Sequence, residues 1–183
     1  MRWTLAGGLL LSLIVIFSFK SSPFRAANKI RSAGGPVGTV YVIIDKSDYE
    51  LKLYDDQGWY ASYPVVFGSR DLGDKMMEGD RKTPEGSFKI ISKRPHSKWH
   101  KMFMLDFPNE ESWAKFNNRK ARHLIPASAK IGGGIAIHGT WPNDDIVVDD
   151  YTNWTNGCIS VKNDDLDELD NYLPVGTRVI IQR

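Results

Sequence analysis

The chain has 183 residues, 25% charged and 42% hydrophobic, with a formal net charge of +2. Those figures suit one domain with a short appendage, leave no room for two full-sized domains, and exclude a largely disordered chain. So small a net charge gives no case for nucleic-acid binding, and a single cysteine, Cys158, excludes an internal disulfide framework and any CxxC metal or redox motif.

In chain order the first feature is an uncharged apolar run from Leu5 to Phe19, preceded by Arg2 and ended by Lys20. A basic residue followed by such a run fits an export signal. The competing reading, a buried core helix, would be apolar all round and would need a larger protein to hide in. No A-x-A cleavage site follows, and the stretch from Trp3 to Phe19 is near the ~17-residue lower limit for spanning a bilayer. Residues 1–20 are therefore read as a signal peptide or signal anchor, with the retained anchor preferred. Lys20, Arg25, Lys29 and Arg31 beyond the run argue for the opposite orientation, so an external body rests on the chemistry below. Residues 21–37, with Ser21, Ser22, Pro23, Gly34, Gly35 and Pro36, read as a flexible linker before a folded domain at 38–183.

From Thr39 the pattern becomes that of short strands. Thr39–Asp45 and Tyr49–Tyr54 flank a Lys46-Ser47-Asp48 turn, and Leu51 and Leu53 alternate with Lys52. Trp59–Phe67 follows a Gln57-Gly58 turn, and Pro64 within it predicts an edge or a bulge. Ser87–Ser92, Gly134–His138 and Arg178–Gln182 complete the strands. Two helices are predicted. One covers Asn109–Ala121, with Asn109 as N-cap and Glu110 and Glu111 in its first turn. The other covers Asn163–Tyr172, with Asn163 as N-cap and Leu166, Leu169 and Leu173 at helical spacing. The expectation is a mostly β sandwich or barrel-like body with one or two short helices.

Charge is uneven. Residues 81–130 hold twelve Lys and Arg against four Asp and Glu, and residues 138–183 hold nine acids against three bases. This fits two solvated faces or a basic surface for a carboxylate-bearing substrate. Asp144, Asp145, Asp149 and Asp150 lack calcium-loop spacing and read as solvated loop acids. His96, His100 and His123 show no metal-ligand pattern and read as surface histidines.

Cys158 ends a polar turn, Thr155-Asn156-Gly157, rather than sitting inside an apolar run. His138-Gly139 stands at the end of an apolar strand. A nucleophilic cysteine needs a base, and a neighbouring imidazole that takes the thiol proton would give an ion pair of lowered thiol pKa. The developing oxyanion needs N–H donors, which the backbone of Asn156, Gly157 and Cys158 would supply. A Cys and a His alone make a weak signal; the flanking glycines strengthen it. Trp141, Tyr151 and Trp154, between the two, read as loop packing or as a wall over a ligand.

The segments IAIHGT at 135–140 and TNGCISV at 155–161 resemble the catalytic motif of the L,D-transpeptidase (YkuD-type) family, a His followed after a gap by Ser/Thr-His-Gly-Cys. GDRKTPEGSFKI at 79–90 resembles that family's TPxGxF block, and LPVGTRVII at 173–181 its closing strand. The resemblance covers residues 38–183. It implies a β-sandwich-like fold and a cysteine acyltransferase acting on peptidoglycan stem peptides. Cys158 would be the nucleophile and His138 the base and then the acid, oriented through the Gly139 carbonyl. Thr155 matches the family's Ser/Thr. Two positions depart from the pattern: Asn156 replaces a His, and Ser160 replaces an Arg able to hold a substrate carboxylate. The loss of that Arg keeps hydrolysis open beside transfer, and a non-catalytic wall-binding module is a further alternative. Thr155, Ser160, Trp141, Tyr151, Trp154 and Arg81 are candidate substrate contacts. The resemblance implies no cofactor or metal, no nucleic acid, a monomer, membrane contact through the N-terminal segment alone, and a place in the bacterial cell envelope facing the wall.

Overall fold

A computed structural model of the chain describes residues 28–29 and 34–183. The apolar run expected to export or anchor the protein lies outside the described residues. Among the described residues no helix is long and apolar enough to cross a membrane.

The strands are β1 (Asn28–Lys29), β2 (Tyr41–Asp45), β3 (Glu50–Asp55), β4 (Gly58–Val66), β5 (Gly86–His96), β6 (His100–Leu105), β7 (Ala136–His138), β8 (Ile159–Val161) and β9 (Arg178–Gln182). The helices are α1 (Glu110–Ala121), α2 (Ile146–Asp149) and α3 (Asn163–Tyr172). Alternation sets the inner face of the first strands: Val42, Ile44, Leu51 and Leu53 are fully buried while their neighbours are not. Each such side chain contributes about 1.5–3 kcal/mol relative to exposure.

Two sheets share β4 and β5. The first runs β1-β4-β3-β2-β9-β5, and the second continues from β5 through β6, β7 and β8 back to β4. The long strands change partner part-way. β4 pairs β3 up to Pro64 and β8 at Val65–Val66, and β5 pairs β9 at Gly86–Lys89 and β6 from Ile90 onward. The result is a closed sandwich, the mostly β body that strand spacing predicted, with closure added by the β4–β8 pairing. β2–β9 and β7–β8 are parallel, and the other pairs are antiparallel. Pro64 lies between the residues paired with β1 and those paired with β8, where a missing N–H breaks no ladder on that side.

Several expectations need correction. The Ser87–Ser92 strand extends to His96, and its partner β6 is an unexpected strand. β1 falls inside the expected linker and pairs Asn28 and Lys29 with Ser62 and Ala61. Three helices form, not one or two. Asn109 caps α1 as predicted, accepting from Ser112 N at 3.0 Å. Asn163 does not cap α3; it is the first helical residue, and its side chain accepts from Thr140 N at 3.0 Å. Asp145 receives the Asn163 N–H at 3.1 Å instead, and Asp149 is buried against Lys162 at 2.6 Å. These two acids are structural, not solvated. The basic and acidic stretches meet at one place: Lys93 and Lys101 pair with Asp170 at 2.6 Å, and Lys101 with Asp167 at 2.8 Å, joining the β5–β6 hairpin to α3.

Candidate active site

The short parallel strands β7 and β8 place the two candidate residues at neighbouring strands. Their register pairs Ile137 with Ile159 and His138 with Ser160, and Cys158 immediately precedes β8. Its Sγ donates to Gly134 O at 3.5 Å, and the Ala136 backbone N–H points to the same sulfur. The thiol thus rests against the backbone of β7, two residues before the imidazole.

His138 is 1% exposed. Its Nδ1 lies 2.7 Å from Gly139 O. A carbonyl only accepts, so Nδ1 carries the proton and Nε2 keeps its lone pair. Ser160 Oγ reaches the same carbonyl at 3.4 Å. Trp99 stacks on the imidazole at 4.9 Å between ring centres, and Trp154 meets it edge-on at 5.3 Å.

Burial sets the protonation of both groups. It pushes the imidazole down to about 4, against the opposing pull of the Gly139 carbonyl. It pushes the Cys158 thiol up, against the Ala136 N–H and the charge of Lys75. Both shifts favour the uncharged form, so burial opposes the lowered thiol pKa expected of a thiolate–imidazolium pair.

The turn before the cysteine is fixed by glycine and threonine. Gly157 has φ +120°, and a Cβ there would lie 2.7 Å from Lys82 O. At Gly139 a Cβ would lie 2.1 Å from Asn163 Oδ1 and 3.1 Å from Trp99 O. Thr155 Oγ1 donates to Cys158 O at 2.8 Å and accepts from Gly157 N at 3.2 Å. The Gly157 N–H is therefore engaged inside the turn.

The candidate substrate contacts divide. Thr155 and Ser160 are 4% and 0% exposed; their hydroxyls brace the turn and the strand. Arg81 turns its Nε onto Thr155 O at 3.2 Å, so its role too begins with the turn. Tyr151 is exposed and packs edge-on against Tyr49 at 5.4 Å, away from the imidazole stack. Trp141 is 38% exposed and lies on Trp154 at 4.0 Å. Among the described residues no group of three His, Cys, Asp or Glu could hold a metal ion.

Sequence reasoning missed three residues. Trp99, between His96 and His100, was passed over within a basic stretch. Asp80 gathers Lys75 Nζ and the N–H groups of Met76, Met77 and Lys82 at 2.7–3.1 Å. Buried Lys46 pairs with Glu85 at 2.7 Å and donates to Gly73 O and Thr83 O. The last two hold the 79–90 block where Lys82 O meets Gly157. An Asp opening a Lys/Thr-Pro turn was the one available signal.

The YkuD family, described as the L,D-transpeptidase catalytic domain, matches residues 39–181, well over half the chain. The chain belongs to this family. This YkuD domain is 32% identical over 145 residues to YqjB of Bacillus subtilis (strain 168), provisionally named an L,D-transpeptidase, covering 79% of the chain and 72% of that relative. It is 25% identical over 162 residues to YafK of Escherichia coli (strain K12), named in the same way, covering 85% of the chain and 54% of YafK. Among solved structures it is similar to the helical cell shape determining protein Pgp2 from Campylobacter jejuni, with TM-score 0.57 and 24% identity over 79% of this chain and 48% of that one. It is also similar to the Enterococcus faecium L,D-transpeptidase C442S mutant, with TM-score 0.51 and 15% identity over 80% and 50% of the two chains. At these identities the structural likeness concerns the fold. The YkuD domain spans about half the length of YafK and of both structures.

Proposed function

We propose that the chain is an exported, wall-facing cysteine L,D-transpeptidase acting on peptidoglycan stem peptides. The observation that carries this reading is the seating of the Cys158 thiol on β7 beside an imidazole whose Nδ1 is committed to Gly139 O, leaving Nε2 as base.

On this reading the substrate binds before any charge forms. Cys158 Sγ attacks the carbonyl carbon of an L-centre joined to a D-residue while its proton passes to His138 Nε2. The negative oxygen is received by the N–H groups of Asn156 and Cys158. The tetrahedral intermediate collapses, the C–N bond breaks, and the leaving D-residue takes the Nε2 proton. The thioester is then attacked by an amine, which gives its proton to Nε2; collapse returns it to sulfur, forming a new amide and a free thiol. Water in place of the amine gives hydrolysis. Ser160 favours keeping that second reading: it is buried and uncharged where the family's motif has an Arg for a substrate carboxylate.

Incubation with purified muropeptides, followed by mass analysis, tests the proposal. The expected products are new cross-links or exchanged D-amino acids, absent with Cys158→Ala. Trimmed peptides alone would establish hydrolysis, and turnover by Cys158→Ala would overturn both.

A further inference from the structure

The Nδ1–carbonyl bond alone does not fix the imidazole. The outer torsion of a histidine is broad and roughly two-fold, and a half-turn of the ring would exchange its nitrogens for carbons. Something must hold the ring plane. Within the described residues one face of the ring is met by Trp99, stacked on it, and Trp154 meets it edge-on. The β5–β6 hairpin tip delivers the first. His96 Nδ1 accepts the N–H groups of Lys98 and Trp99 at 3.2 Å, closing the tip, and the His96 ring stacks on Trp99 at 4.5 Å and 7°. Trp99 lies on His138 at 24° to its plane. Its carbonyl accepts the Gly139 N–H at 3.1 Å, so tip and imidazole strand are joined by backbone as well. His100 Nε2, at 2.7 Å from Asp167, ties the same tip to α3. Trp154 stands at 68° to the imidazole and is backed by Trp141. Both Trp99 and Trp154 leave a buried indole N–H without a partner. A smaller aromatic ring would avoid that cost, so the flat area is what the positions retain.

We propose that Trp99 and Trp154 are positioning residues that clamp the His138 ring, keeping Nδ1 on the Gly139 carbonyl and Nε2 directed at the site of the thiol. The proposal rests on His138 being the base. Its primary readout, however, needs no substrate.

The test is the ¹⁵N NMR signature of His138, which distinguishes the Nδ1–H tautomer from a mixture, in folded wild type, Trp99→Leu and Trp99→Phe. Leu keeps apolar bulk without a flat face; Phe restores one. Wild type and Trp99→Phe should show the Nδ1–H tautomer alone, and Trp99→Leu a mixture. With muropeptide substrate, Trp99→Leu should lose about tenfold in kcat with KM unchanged. Trp154→Leu is the second variant, with the same expectation, and decides the matter if Trp99→Leu does not fold. A pure Nδ1–H tautomer in the Leu variants, or a Phe variant that behaves like Leu, would overturn the clamp. Absence of any muropeptide turnover alongside the expected NMR result would instead remove the assigned reaction and leave the clamp standing.

Discussion

At the scale of single residues, the site is organised around two groups that burial biases toward their uncharged forms. His138 titrates at about 4 in the fold and near 6.5 when free. As pH falls, the unfolded chain therefore takes that proton first. Above pH 6.5 the residue makes stability no different; between 6.5 and 4 it lowers stability progressively, by about 3 kcal/mol in all. Asp80, held below the usual carboxylate range by Lys75 and three backbone N–H groups despite burial, loses its protective charge only beneath that window. Urea unfolding at pH 7 and pH 4 should show the loss in wild type and a smaller one in His138→Gln. The thiol makes a matching prediction. Because Cys158 is the single cysteine, its alkylation by iodoacetamide reports one group. The rate should be low at pH 6 and rise through and beyond pH 9, since burial raises the thiol above its ordinary value. Rapid alkylation at pH 5–6 would reveal a resting ion pair.

At the scale of elements, what sequence made legible followed from pattern length. Strands with alternating Val, Ile and Leu, such as β2 and β3, and helices with acids in the first turn were readable because each carries its own signal. β8 and α2 were not, being three and four residues long. β6 was hidden because His100 and Lys101 at its start look like a charged surface, while in the fold they are the partners of α3. The same limit applied at the site. The need for Gly157, and Cys158 and His138 as candidates, were legible from local motif. The inward roles of Thr155, Ser160 and Arg81 were not, because they depend on which segment crosses behind them. Lys46 is the clearest such tie: a buried cation from the β2–β3 turn that holds the block after Gly73 and up to Glu85. Lys46→Met should cost about 2 kcal/mol, since Glu85 is partly exposed and can rehydrate, and thermal unfolding would measure it as a fall in Tm. An unchanged Tm would deny that this tie supports the block.

At the scale of the whole molecule, the closed sandwich explains how a motif spread over twenty residues becomes one site. β4 and β5 change sheets along their length, which sets β7 and β8 side by side and lets the β5–β6 hairpin reach over them. Leu166 and Leu169 of α3, and Leu173 just after it, are fully buried, so the helix that receives the hairpin's lysines is itself anchored in the core. The fold was legible from strand spacing and motif order together; its closure was not, because partner switching by a long strand leaves no local mark. The account's central claim is that Cys158 forms a thioester with a stem-peptide donor. Intact-protein mass spectrometry after brief exposure to a tetrapeptide donor measures it directly. The account predicts a wild-type adduct with the mass of the donor less its terminal D-residue and the elements of water, on Cys158, and no adduct with Cys158→Ala. An enzyme that turns over donor without Cys158, or an adduct mapped to any other residue, would contradict it.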